Sequence, residues 1–301
     1  MKKLFLILMA VIFTTAIFGQ NPPPAKYKRI ISLSMASDEI LYDLVEHDRI
    51  LALSGNSDKN QMRSALWNKI DEFDEVHDNI EKVIALDPDI VIIPSWLKRQ
   101  IVAQLEDADL NLYTYPSPNT FEEEKEVVRG IARILDSEAR GEEIIEDMDR
   151  RVATLQKKIK ATGIKSPRVL EYSHYGSTNG EGSMFDDMLQ HVYLTNVATE
   201  MGIHRFSRIS KEKVIEYNPE ILLIPIWDST SAKACSKFFD IIRNDKSLAE
   251  VDAIKNEKVY PVPGKYIYMY SHYIVEGMEY LAQTIYGIDI TKENWCLRLH
   301  S

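Results

Sequence analysis

Residues 81–96 read EKVIALDPDIVIIPSW, and residues 212–227 read EKVIEYNPEILLIPIW. Nine of the sixteen positions are identical at one fixed offset of 131 residues. A solenoid repeats every few tens of residues, so a single recurrence this far apart indicates two similar halves. In each copy Glu-Lys-Val-Ile reads as the end of a short amphipathic helix, broken by Asp-Pro or Asn-Pro. The apolar runs Ile90–Ile93 and Ile221–Ile224 that follow have the character of parallel strands buried on both faces. Pro94 and Pro225 read as strand ends, which places Trp96 and Trp227 at the carboxyl edges where open α/β sheets hold ligands. Two lobes, each with a tryptophan at that edge, predict one ligand clasped between them.

Working outward, strands alternate with helices on both sides of the repeat. The first lobe, residues 29–137, opens on a strand Arg29–Leu33. A helix over about 38–45, a strand Ile50–Leu53 ending at Ser54-Gly55-Asn56, and a strand Leu112–Tyr115 follow. A helix carrying Ile145, Met148, Val152, Leu155 and Ile159 at three- and four-residue steps fills 138–163 and is stopped by Gly163 and Pro167. The second lobe, 164–290, begins again with Arg168–Tyr172, a glycine-rich loop from His174 to Ser183, and a helix capped by Ser183. It closes with a strand Val259–Val262, the segment Lys265–Tyr270 and a final helix. Residues 291–301 form a tail without a clear signal. The predicted fold is therefore α/β, two Rossmann-like lobes joined by a long α-helix with the cleft between them.

The chain starts Met1-Lys2-Lys3, runs apolar from Leu4 to Phe13 and reaches small residues by Gly19, so 1–19 read as a secretory signal peptide. No cysteine follows that core to take a lipid, and residues 20–28, with Pro22-Pro23-Pro24, read as an exposed lead-in. An exported, periplasmic protein is expected. A formal charge of −10 argues against a nucleic-acid partner, which would need a basic face. Cys235 and Cys296 are the only cysteines, too few for a disulfide scaffold. There is no Gly-x-Ser-x-Gly, no phosphate-binding Gly-x-x-x-x-Gly-Lys and no His-Glu-x-x-His, and Asp186-Asp187 sits where first-turn acids suit a helix dipole. The expectation is a binder and not an enzyme. The seven histidines show no paired metal-ligand spacing.

Taken in order, Arg29–Leu33 with Glu39-Ile40-Leu41, Ile80–Val83 through Pro88–Ile92, Phe185–Leu189, Asn196-Val197-Ala198, Ile209–Glu212 through Pro219-Glu220, and Ile254–Tyr260 resemble the substrate-binding proteins of ABC importers. The resemblance is to their helical-backbone class, which serves ferric siderophores, haem and cobalamin, and it covers nearly the whole mature chain. The chain departs from that pattern at Met35, Asp38, Val45 and His191–Leu194. The resemblance implies a monomer with no resident cofactor, a metal chelate or corrinoid as ligand, and a membrane permease dimer as partner. It also implies that Glu81 and Glu212 dock onto arginines of that permease, one per lobe. For the ligand, the residues just past strand ends are the candidates: Ser34, Met35, Asn56 and Trp96 in the first lobe, and Tyr172, His174, Tyr175 and Trp227 in the second. Tyr266 and Tyr268 are added from the late aromatic segment, and His174, His272 or a tyrosine could serve as an axial ligand to haem iron.

Overall fold

The structure is a computed structural model that describes residues 25–55, 60–77, 79–227 and 232–290, with only the backbone of 232–236. The leader, the start of the lead-in, Asn56, both cysteine side chains and the tail lie outside the described residues.

The first lobe comprises β1 (Ile30–Ser32), α1 (Met35–Leu44), β2 (Ile50–Leu53), β3 (Asp74–Glu75), α2 (Ile80–Ala85), β4 (Ile90–Pro94), α3 (Arg99–Asp107), β5 (Leu112–Tyr115) and α4 (Phe121–Ile134). Its strands form one parallel sheet in the order β3-β2-β1-β4-β5. That order reverses direction between β1 and β4, the switch point outside which ligands bind. Then comes α5 (Glu138–Thr162), 25 residues ending at Gly163, whose φ of 69° suits a left-handed cap. At 1.5 Å per residue it is about 37 Å long. The second lobe contains β6 (Arg168–Glu171), β7 (Ser177–Asn179), α6 (Met184–His191), β8 (Thr195–Asn196), α7 (Val197–Glu200), β9 (Phe206–Arg208), α8 (Lys211–Tyr217), β10 (Ile221–Ile226), α9 (Ala232–Arg243), α10 (Asp252–Lys255), β11 (Val259–Pro263) and α11 (Ile274–Tyr286). Its main sheet is also parallel, in the order β11-β10-β6-β8.

The central strands β4 and β10 are buried on both faces, which is why Ile90–Ile93 and Ile221–Ile224 are apolar without interruption. Alternate residues divide between two cores. Ile30, Ile90 and Ile92 of the first lobe, and Val169, Ile221 and Leu223 of the second, join one cluster with Ile145, Met148, Val152 and Leu155 of α5. The intervening residues turn outward into a separate core for each lobe: Ile31, Val91 and Ile93 against Val83 of α2, and Leu170, Leu222 and Ile224 against Val214 of α8. The connecting helix is thus an internal part of a core that both lobes share.

Several local expectations are corrected. Glu-Lys-Val-Ile begins its helix in each copy and does not end it. The Asn79 side chain caps α2 by accepting from the Lys82 amide at 2.8 Å, and Ser210 precedes α8. The helices stop at Asp87 and Asn218, equivalent residues with φ of 47° and 42°. Asp and Asn tolerate that left-handed conformation, and the following prolines cannot continue a helix. Pro225 lies inside β10 and does not end it, because beyond Leu223 only β11 accompanies that strand. Helix α1 starts three residues before the expected Asp38, since Ser34 accepts from the Ser37 amide at 3.1 Å. Met35 and Asp38 are therefore helical, and buried Asp38 accepts from the Ser54 amide at 3.0 Å. The glycine-rich loop hides β7, paired antiparallel with β9. Lys265–Tyr270 is not a strand: Gly264–Tyr266 forms a 3-10 turn.

The lobes are also joined directly. Glu39 accepts from the Ser271 hydroxyl at 2.6 Å, Asp43 contacts His272 Nε2 at 2.8 Å and accepts from the Tyr273 hydroxyl at 2.6 Å, and the Lys265 amide donates to the Met62 carbonyl at 2.8 Å. A shared core crossed by such bonds opposes hinge motion. Small-angle scattering with and without saturating ligand is expected to show the radius of gyration changing by no more than about 1 Å; a larger contraction would mean that this interface opens.

Candidate functional site: an aromatic band across the cleft

The carboxyl ends of β1, β4 and β5 carry the first lobe's share of the site. Leu33, Ser34, Met35 and Ala36 after β1, and Pro94, Trp96, Leu97, Lys98 and Ile101 after β4, line a cavity of about 390 Å³ whose remaining wall is Tyr270 of the second lobe. Trp96 is 49% exposed, a large apolar surface left open at a strand end. Its ring meets Tyr115, the last residue of β5, edge-on at 5.6 Å, and lies 6.4 Å from Tyr270. The Tyr115 hydroxyl is held 2.5 Å from the Ser34 hydroxyl, which fixes the ring under the cavity. Burial pushes the Tyr115 phenol above its ordinary value, so it remains a neutral hydrogen-bonding group.

The second lobe adds an aromatic pair of its own. Tyr268 stacks on Trp227 with centroids 4.9 Å apart and planes at 29°. Trp227 settles onto the backbone of Gly264, where a Cβ would fall 2.4 Å from the indole; only glycine admits that approach. The Asn60 side-chain amide donates to the Trp227 carbonyl at 2.9 Å, which ties this wall to the first lobe. Behind the band the Tyr268 hydroxyl donates to Glu171, a buried carboxyl at the end of β6 that also accepts from the amide and side chain of Asn179 at 2.9 and 2.8 Å. Burial pushes Glu171 up to about 7, while the bonds from Tyr268 and Asn179 pull it back.

The structure therefore brings together Ser34, Met35 and Trp96 around one cavity, and Trp227 with Tyr268 beyond it. Tyr172, His174, Tyr175 and Tyr266 do not line that cavity. Tyr172 is buried in the second lobe's own core against Phe238. His174 and Tyr175 are exposed, with their rings tilted against each other at 3.5 Å. Tyr266 stacks on Tyr280 of α11 at 4.5 Å. His272 is buried against Asp43, so it is not presented to a cleft. Glu81 and Glu212 are exposed on helices that cover the outer sheet faces. Tyr115, Tyr270 and Glu171 were absent from the expected site. The strand-end rule that selected Trp96 would also have selected Tyr115 had it been applied to β5.

Two lobes around a cleft walled by aromatic side chains define a solute-binding protein. The chain belongs to the periplasmic binding protein family, whose profile matches residues 30–266. Similar chains include an uncharacterized ABC transporter substrate-binding lipoprotein, YvrC of Bacillus subtilis, 23% identical over 266 residues, covering 86% of this chain and 80% of that one. A cobalamin-binding protein of Halobacterium salinarum is 20% identical over 227 residues, covering 74% of this chain and 61% of that one. Among solved structures, a possible iron-binding (periplasmic solute-binding) protein of Staphylococcus epidermidis shares the fold with a TM-score of 0.71 and 23% identity, over 87% of this chain and 99% of that one. Among the described residues, no helix is long and apolar enough to cross a membrane.

Proposed function

We propose that the protein is the extracytoplasmic receptor of an ABC importer and that its ligand is a ferric siderophore. The aromatic side chains at the strand ends carry the reading, because Trp96 and Tyr270 offer flat apolar walls to a cavity that Lys98 also lines, with Tyr115 buried against Trp96 and Tyr268 stacked on Trp227 in the second lobe. Such a surface suits a large organic complex better than a bare ion. Among the described residues no three His, Cys, Asp or Glu side chains are grouped to hold a metal, which supports a cargo whose iron is already enclosed by its chelator. Lys98 favours a ferric complex with residual negative charge.

A corrinoid is the second reading: it is favoured by the same flat walls and by the cobalamin-binding relative. Haem, which would need His174 or a tyrosine as axial ligand, is third, since the His174 ring lies against Tyr175 and Phe238. The charged and apolar leader at 1–19 supports export, and a monomer in the periplasm is the reading. Transport without turnover is the reading, in keeping with membership of a family of binding proteins. Glu81 and Glu212 are the permease contacts in this scheme.

Tryptophan fluorescence tests the ligand. Titration with ferric catecholate and hydroxamate siderophores, haemin and cobalamin should give saturable quenching by a ferric siderophore at micromolar or lower concentration. Trp96→Ala should weaken it by about tenfold, the loss of one stacked wall. Quenching by cobalamin alone would replace the ligand, and no quenching by any of them would overturn the ligand class.

A further inference from the structure

The four residues that open each repeat do four different things. Val83 and Val214 are fully buried and seat α2 and α8 on their sheets. Lys82 is turned back onto its own lobe, where Nζ donates to the Glu75 carbonyl at 2.9 Å and lies 3.6 Å from Asp74, and Lys213 Nζ donates to the exposed Glu216 of the same helix at 2.8 Å. Glu81 and Glu212 are exposed, and the Ser210 hydroxyl beside Glu212 holds its carboxyl below the usual range. Ile84 and Ile215 are 41% and 43% exposed, two of the few large apolar side chains that the lobes leave open. Residues three apart on a helix share a face, so each isoleucine lies beside its glutamate. The next position is exposed in both lobes and has diverged, Ala85 against Glu216. Exposure alone therefore does not preserve a residue in this repeat, and burial does not explain the two isoleucines.

We propose that Ile84 and Ile215 are the apolar halves of two docking points whose charged halves are Glu81 and Glu212. Each point fits an apolar recess next to a basic side chain on one of the two permease subunits. The inference rests on the importer reading above and adds the component of docking that salt does not screen. Carboxylates steer the approach and weaken with ionic strength. A buried isoleucine holds the complex once water is expelled, whatever the ionic strength. Pairing with Asp74 and Glu216 offsets the positive charge of the two lysines.

The test uses the mature chain and cytoplasmic-membrane vesicles from its own cell, with binding measured at low and high salt. Ile84→Ser and Ile215→Ser should each weaken binding about fivefold at both salt concentrations, and the pair about twentyfold, as expected for burying part of one large apolar side chain per site. Glu81→Gln with Glu212→Gln should weaken binding mainly at low salt. Benzoylphenylalanine at 84 and at 215 should photocross-link to the two subunits of an ABC permease, and thermal unfolding of every variant should match the parent. If the serine pair binds like the parent while the glutamine pair does not, the apolar contact is wrong and the importer reading stands. If neither pair matters and both cross-links go elsewhere, the importer reading fails with it.

Discussion

Alanine at both Glu81 and Glu212 is expected to cut ligand import by about thirtyfold or more while leaving ligand affinity unchanged. The two carboxylates sit on α2 and α8, which are fixed to the outer faces of their sheets through Val83 and Val214. The proposed ligand site lies at the strand ends instead, so deleting the carboxylates is expected to leave it intact. Truncating one partner of a desolvated charge pair costs about 2–5 kcal/mol, and even the lower figure is roughly thirtyfold. Lysine at both positions should be worse than alanine, because it would place positive charge against arginine. Uptake of the ligand identified by titration, in cells or proteoliposomes, measures the first effect, and tryptophan quenching measures the second. Full transport by the double-alanine protein would make these glutamates ordinary helix-start residues and the repeat a record of shared ancestry alone.

Stability should fall as pH rises from 5 to 8, and Glu124→Gln should remove much of that fall. Glu124 of α4 is fully buried, and neither carboxyl oxygen has a hydrogen-bond partner among the described residues. Burial, and then the neighbouring Glu39, pushes its carboxyl up to about 8. A carboxyl that holds its proton more tightly folded than unfolded stabilises fully below its ordinary value of 4.5. That stability is lost as pH rises through the folded value. Glu171, raised to about 7, and Glu39, also raised by burial, act with the same sign. Asp43 acts oppositely: burial raises it, but the bonds from His272 and Tyr273 prevail and leave it at about 2. Its contribution is present above its ordinary 3.8 and is lost only in acid. Each pH unit across the Glu124 window is worth up to ~1.4 kcal/mol, so the stability gap between Glu124→Gln and the parent should widen to a few kcal/mol by pH 8. Denaturant unfolding at pH 5, 6.5 and 8 measures it. A gap that does not change with pH would mean that the carboxyl titrates normally.

These predictions draw on different sources. The glutamate pair was visible in the sequence because it belongs to a local unit: a capped helix, a proline and an apolar strand recur together, and each signal spans only a few residues. The same locality made two parallel-sheet lobes and the connecting helix legible, through apolar runs and three- and four-residue spacing. Trp96 followed from a strand-end rule that needs no knowledge of the partner lobe. Glu124 could not be found in that way. Its sequence neighbours are ordinary first-turn acids, and only the closure of α4 against the rest of the first lobe and the second removes its water. The site shows the same limit. Tyr266, Tyr268 and Tyr270 look alike in sequence, yet a 3-10 turn sends them to Tyr280, Trp227 and Trp96 in turn. Glu39 meets Ser271 and Asp43 meets His272 across 232 and 229 residues, pairings that no local pattern encodes. The sequence by itself determined the lobes, their helical connection and the repeated outer face, since those follow from backbone propensity and periodic burial. Only the tertiary structure decided which aromatic rings share the cleft and which carboxyls lose their solvent, because both depend on what a residue distant in the chain leaves uncovered.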